Sequence, residues 1–169
     1  MDRADSGSSW IKRIVVAADG SPAGNRGLER VADLAPRIGA SVAVVFVRHL
    51  AAGALMAPGM TAAPTTQALD ELEAEVRKDA MRLLAGTDAA WEFVVRAGSP
   101  GEEIVKLTDE IGGDLVVVGS NRHSSLHNLL LGSTAAYLAT HSKAPVLVMR
   151  ANEVSGKVEA TPEVIGGMG

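Results

Sequence analysis

Four short runs of apolar, largely β-branched residues recur along the chain: Ile14-Val15-Val16-Ala17-Ala18, Val42-Ala43-Val44-Val45-Phe46-Val47, Leu115-Val116-Val117-Val118 and Val146-Leu147-Val148-Met149. Each is continuous rather than alternating, the pattern of a strand covered on both faces in a parallel sheet. A fifth run, Trp91-Glu92-Phe93-Val94-Val95-Arg96, alternates more and reads as an edge strand. Between the runs lie helical patterns over about 22–38, 67–85, 100–112 and 133–142. In the second of these, Leu69, Leu72, Val76, Met81, Leu83 and Leu84 sit among charged residues, so one face is buried. Strand and helix in regular alternation predict a doubly wound α/β domain: an open, parallel, five-stranded sheet with helices on both faces and right-handed crossovers.

The predicted helices carry start and stop signals. Ser21-Pro22 offers an N-cap followed by a proline at the first helical position. Ser99-Pro100-Gly101-Glu102 repeats this and adds the glutamate of a capping box. Gly39 and Gly113 are placed to close helices before the next strand. Residues 50–66 are rich in Ala, Gly, Met, Pro and Thr and lack charge, which predicts a long loop, and loops longer than about 12–15 residues are often functional or mobile. The polar stretch 1–9 and the Gly-containing stretch 151–169 are expected to be disordered, leaving one domain over 10–150.

Composition narrows the functional classes. The chain has 169 residues, enough for one domain, and 47% hydrophobic residues, enough for a core. Only 3% are aromatic, too few for a protein that stacks bases, and the net charge of −4 lacks the basic field of a general nucleic-acid binder. The absence of Cys excludes disulfides, thiolate catalysis and Cys-based zinc sites, and it fits a cytoplasmic protein. The N-terminus has no signal-peptide apolar core, and no apolar run approaches the roughly 20 residues that span a bilayer. Neither nucleic acid nor membrane is an expected partner.

In an open α/β sheet, ligands bind beyond the carboxyl ends of the strands, where the winding direction reverses. Asp19-Gly20-Ser21 follows the first run, and its carboxylate is either a turn or cap residue, an acceptor for a ribose hydroxyl, or an indirect metal ligand. The fourth strand leads through Gly119-Ser120-Asn121-Arg122-His123-Ser124-Ser125 towards Gly132-Ser133-Thr134, which opens a helix. A helix N-terminus attracts phosphate through unpaired N–H groups and a partial positive charge, and Gly132 would let an anion approach. Ordinary N-capping by Ser133 or Thr134 is the competing reading.

Several chemistries are unsupported. No Gly-x-x-x-x-Gly-Lys-[Ser/Thr] or Gly-x-Gly-x-x-Gly motif is present, against a P-loop NTPase and a dinucleotide site. A phosphorelay receiver needs an acidic pair and a phosphoacceptor Asp, but Asp19 stands alone and the central strands end at Arg48 and Gly119. His123 and His127 have helical metal-pair spacing without an intervening Glu or third ligand, and Ser120 lacks a nucleophile elbow. Ser120, Ser124 and Ser125 read as loop residues in contact with solvent rather than as phosphorylation sites.

Taken in order, Val16-Ala17-Ala18-Asp19-Gly20-Ser21-Pro22, Asp114-Leu115-Val116-Val117-Val118-Gly119, Leu129-Leu130-Leu131-Gly132-Ser133-Thr134 and Ala144-Pro145-Val146-Leu147-Val148-Met149 resemble the universal stress protein family over about residues 10–150. The resemblance implies a sheet ordered 3-2-1-4-5. It also implies ATP or a related adenine nucleotide, with or without magnesium, as ligand. The ATP-binding branch is marked by Gly-x-x-Gly, nine residues, then Gly-[Ser/Thr]; Gly119 and Gly132-Ser133 match, and Arg122 replaces the second Gly. A glycine there would let the backbone bend towards the phosphates, whereas Arg122 would place a guanidinium on them, close the site, or remain a solvated loop residue.

Carried over by position, Asp19 would meet the ribose or a metal-bridged phosphate, and Val47 would bond adenine through its backbone while Ala17 lines the base pocket. Val118 and Gly119 would flank the sugar, and Gly132, Ser133 and Thr134 would hold phosphates. Val47 and Val118 are equally expected as core residues. The resemblance further implies a homodimer through the last strand, about Pro145–Arg150. The resulting expectation is a nucleotide-binding regulatory protein of the stress response, with no catalytic residue assigned and at most slow ATP hydrolysis. The alternatives are an interaction or chaperone-like scaffold docking protein partners through 50–66, or an enzyme on another substrate.

Overall fold

The computed structural model describes residues 9–49, 66–120 and 131–151. The expected segments at 1–8, 50–65 and 152–169 lie outside the described residues, as do Arg122, His123, Ser124, Ser125 and His127. The described chain runs β1 (Arg13–Ala17), α1 (Pro22–Ile38), β2 (Ser41–Arg48), α2 (Thr66–Leu84), β3 (Trp91–Ala97), α3 (Pro100–Ile111), β4 (Leu115–Ser120), α4 (Ser133–His141) and β5 (Val146–Arg150). Thr66, read from sequence as the end of a loop, is the first residue of α2.

All four strand pairs are parallel, and the sheet order is β3-β2-β1-β4-β5. In register, Ile14 lies opposite Val42 on one side and Leu115 on the other, so β1 is the central strand. Successive side chains point to opposite faces of a strand, and here both faces are apolar. Ile14, Val16, Val42, Val44, Phe46 and Val117 pack with Leu28 and Val31 of α1 and with Val76 and Leu84 of α2. Val15, Ala43, Val45, Val116 and Val118 pack with Ile104 and Leu107 of α3 and Leu138 of α4. This two-sided burial is why the runs are continuous, and each buried Val, Leu or Ile contributes about 1.5–3 kcal/mol relative to exposure.

One of the two edges differs from what local pattern suggests. β3 is an edge strand, as its alternation predicts, with most of its side chains half-buried. β5 is the opposite edge although its run is as apolar as an interior strand; Val146 and Val148 pack inwards while Leu147 is 44% exposed.

Two helix signals also need correction. Gly39 closes α1 in the left-handed conformation at φ 66° as expected, but α3 is closed by Gly112 at φ 64°, one residue before Gly113. Ser99 occupies the N-cap of α3 without a side-chain cap bond, so the capping box with Glu102 does not form. Pro100 at the first helical position and the acidic pair Glu102 and Glu103 suit that end instead, since carboxylates complement the positive end of a helix.

Candidate functional site

Crossovers leave the sheet on one face after β1 and on the other after β4, and a crevice opens between the carboxyl ends of these neighbouring strands. A cleft of about 220 Å3 lies there. Its apolar wall is built by Ala17 at the end of β1, Val45 and Val47 of β2 and Val118 of β4, with Pro100 and Ile104 of α3. Its polar rim is Asp19 on one side and Ser133 and Thr134 of α4 on the other, with Gly119 and Gly132 lining it by backbone.

The cleft therefore gathers the described residues singled out from sequence: Ala17, Asp19, Val47, Val118, Gly119, Gly132, Ser133 and Thr134. Arg122 lies outside the described residues. Ala18, Val45, Pro100, Ile104 and Ala135 complete the lining and were missed. Pro100 and Ile104 are one helical turn apart on the inward face of α3, a legible spacing, but nothing in the sequence says which strand ends that face meets.

Asp19 is a turn-builder as well as a lining residue. Its Oδ1 accepts the Ser21 N–H at 3.0 Å and the Ser21 hydroxyl at 2.5 Å, and Ser21 Oγ accepts the Gly24 N–H at 3.1 Å as the N-cap of α1. The carboxylate thus lies at the positive end of α1, and the anion-attracting end of that helix is met by the protein's own charge. α4 is different. Its N-cap is Gly132, without a side-chain cap bond, and the first helical hydrogen bond runs from Ala136 N–H to Gly132 O. Capping by Ser133 or Thr134 does not occur, because both are already inside the first turn. The amides of Ser133, Thr134 and Ala135 precede that first bond at the mouth of the cleft, the arrangement that receives an anion.

Gly119 has a packing reason of its own. A Cβ there would fall 2.5 Å from the Gly24 nitrogen and 2.7 Å from the Ala23 carbonyl carbon, so β4 and the first turn of α1 touch backbone to backbone. Ser120, read from sequence as a loop residue in solvent, is the last residue of β4 opposite Arg150 and only 6% exposed, because β4 runs two residues past the apolar run.

The second strand ends in an ionic clamp beside Val47. The Arg48 guanidinium bonds Asp70 and, at 2.7 Å, Glu73 of α2, and these bonds, Asp70 first, push its pKa above the ordinary value. Glu73 also holds Arg77, whose guanidinium lies 4.2 Å over the Phe93 ring. Among the described residues no group of three or more acidic or histidine side chains converges as a metal site, and no described helix is long and apolar enough to cross a membrane.

A doubly wound parallel sheet with an apolar crevice at its switch point, rimmed by a carboxylate and a helix N-terminus, defines an α/β domain with a candidate small-ligand site. Comparison with known proteins places it within that class. The model of the universal stress protein family matches residues 11–150, and the chain belongs to this family. Universal stress protein YxiE of Bacillus subtilis (strain 168) is 30% identical over 148 residues, covering 83% of this chain and 99% of YxiE. UspA from Lactobacillus plantarum matches in structure with a TM-score of 0.65 at 25% identity, covering 84% of this chain and 99% of that one. A universal stress protein solved in complex with cAMP matches with a TM-score of 0.62 at 25% identity, covering 85% of this chain and all of that one.

Proposed function

We propose that this chain is an adenine-nucleotide-binding regulatory protein of the stress response, taking ATP or a related nucleotide in the β1/β4 cleft with little or no hydrolysis. The observation that carries this reading is the pairing of opposite polar ends across one apolar crevice. Asp19 supplies acceptors suited to ribose hydroxyls, and the α4 N-terminus supplies amides suited to phosphate. Adenine would lie against Ala17 and Val47, with Val118 and Gly119 beside the sugar and Gly132, Ser133 and Thr134 at the phosphates. Where magnesium accompanies the phosphates, Asp19 is the carboxylate to meet it. The cAMP complex of the relative with 25% identity supports an adenine nucleotide as the class of ligand.

The working unit under this proposal is the domain over 10–150, acting in the cytoplasm as a homodimer through β5. Support for the dimer is an apolar sheet edge that no other described strand covers, with Leu147 exposed, a surface that pairs with another strand unless it is protected. The competing reading, an interaction scaffold without nucleotide, is favoured by one observation: Gly119 is accounted for by the contact with Gly24 alone, without any phosphate.

Calorimetric titration of the purified protein with ATP, AMP and cAMP, with and without magnesium, tests the proposal, alongside mass spectrometry of ligand retained from the expression host. Binding tighter than millimolar by at least one nucleotide is expected. Failure of all three would overturn the reading and leave the scaffold.

A further inference from the structure

β2 outruns the strand beside it. Its register with β1 ends at Ala17 opposite Val45, whereas its pairing with β3 continues through Phe46 and Val47 to Arg48 opposite Ala97. In a parallel strand the N–H and C=O of one residue address the same neighbour, and successive residues alternate between neighbours. Val42 N–H bonds Ala90 O and Arg48 O accepts the Gly98 N–H on the β3 side, while Val45 O accepts the Ala18 N–H on the β1 side. Val47 shares the parity of Val45, so its amide and carbonyl point to the β1 side with no β1 residue in register opposite, where the cleft opens. The end of β2 is therefore supported in the sheet by β3 alone, itself an edge strand.

Arg48 ties this overhang to the helix layer. It shares the strand face of Val42, Val44 and Phe46, which pack towards α1 and α2, whereas Val47 packs into the opposite layer. Its guanidinium spans two residues of α2, one nitrogen on Asp70 and the other on Glu73. Glu73 also holds Arg77 over the Phe93 ring of β3. A planar guanidinium bonded through two nitrogens is fixed in orientation. None of Arg48, Asp70 and Glu73 is among the residues that line the cleft.

We infer that Arg48 is a positioning residue for the choice of base: by tying the overhanging end of β2 to α2, it holds the backbone amide and carbonyl of Val47 rigid against the bound purine. This rests on the nucleotide reading proposed above and adds to it the device that makes the base selective. Adenine presents an acceptor at N1 and a donor on its 6-amino group, the complement of an N–H and a C=O. Hypoxanthine, of nearly the same shape, inverts both, with a donor at N1 and an acceptor at the 6-oxo group. A fixed backbone pair rejects the inverted pattern because its own groups are left unpaired, whereas a strand end free to move shifts away and lets water in.

The test compares ATP with inosine triphosphate, and AMP with inosine monophosphate, by calorimetry on the full chain. The wild type is expected to prefer the adenine nucleotide by about ten-fold or more, since two polar contacts are mismatched in the other. Arg48→Met keeps an apolar stem and removes the charge, and it should bring that preference to within about three-fold, chiefly through weaker binding of the adenine nucleotide. Asp70→Asn combined with Glu73→Gln cuts the same tie from α2 and should do the same. Arg48→Lys, a single point charge, should restore part of the preference. Sugar and phosphates are common to each pair, so a merely structural role would weaken both members alike and leave their ratio unchanged. Thermal melts by circular dichroism check that each variant is folded, and the α2 double variant decides if Arg48→Met is not. Full preference retained in either folded variant overturns the inference and leaves the nucleotide reading intact. A wild type that binds both bases equally also overturns it, and one that binds none of the four probes removes both.

Discussion

A β-carbon placed on Gly119 would lie 2.5 Å from the backbone nitrogen of Gly24, inside any permissible van der Waals contact. The carboxyl end of β4 and the first turn of α1 therefore meet without side chains between them. That contact draws the Asp19–Ser21 turn close to β4 and sets one wall of the cleft.

Gly119→Ala should accordingly destabilise the fold by about 1–3 kcal/mol, since the collision is with backbone that cannot rotate away. Thermal unfolding checks this, and a variant as stable as the wild type would show that α1 shifts freely. Gly24→Ala should cost less, because its β-carbon would meet Asp19 Oδ1, a side-chain atom that can move, rather than backbone.

At the opposite end of the strands, Asp114 Oδ2 accepts the N–H groups of Lys12 at 2.8 Å and Arg13 at 2.9 Å, tying the start of β1 to the start of β4. Asp114→Ala should cost about 1–2 kcal/mol, with water taking over part of the lost bonding. For a chain of this size that is a Tm lower by about 2–8 °C in calorimetry. Nucleotide affinity of the folded variant should be unchanged, because this residue is remote from the cleft.

Ser133→Asp separates stability from binding at α4. A carboxylate in the first turn of that helix should stabilise the free protein by about 0.3–1 kcal/mol through the helix dipole. The same charge would repel phosphate, and affinity for ATP should fall about ten-fold or more. Unfolding without ligand and titration with ATP read the two effects. Unchanged affinity would mean that phosphates do not lie at this helix.

Leu147→Lys addresses the β5 edge. A charge on the exposed edge opposes strand pairing, so sedimentation velocity should report twice the chain mass for the wild type and the single chain for the variant. A wild type that sediments as a monomer at micromolar concentration would rule out the dimer.

Much of the architecture is written locally. The continuous runs at 14–18, 42–47 and 115–118 announce strands buried on two faces, and Ser21-Pro22 and Gly39 mark the ends of α1 within the residues observed. The candidate site was legible only in part. Asp19, Gly119 and Gly132-Ser133-Thr134 stand out as small or polar residues at strand and helix ends, but Pro100 and Ile104 do not, because an inward-facing helical pair looks the same whichever strands it covers.

Sequence alone determined where strands and helices form and that the sheet is covered on both faces, because side-chain periodicity and burial act over a few neighbouring residues. The tertiary structure decided what depends on partners distant in the chain. It put the apolar run of β5 at an edge, made Gly119 a backbone contact with α1, and turned Asp19 against Ser21 while leaving the first amides of α4 uncapped. Contacts of that kind are set by how packed elements meet, and residues some 95 positions apart carry no local pattern that records it.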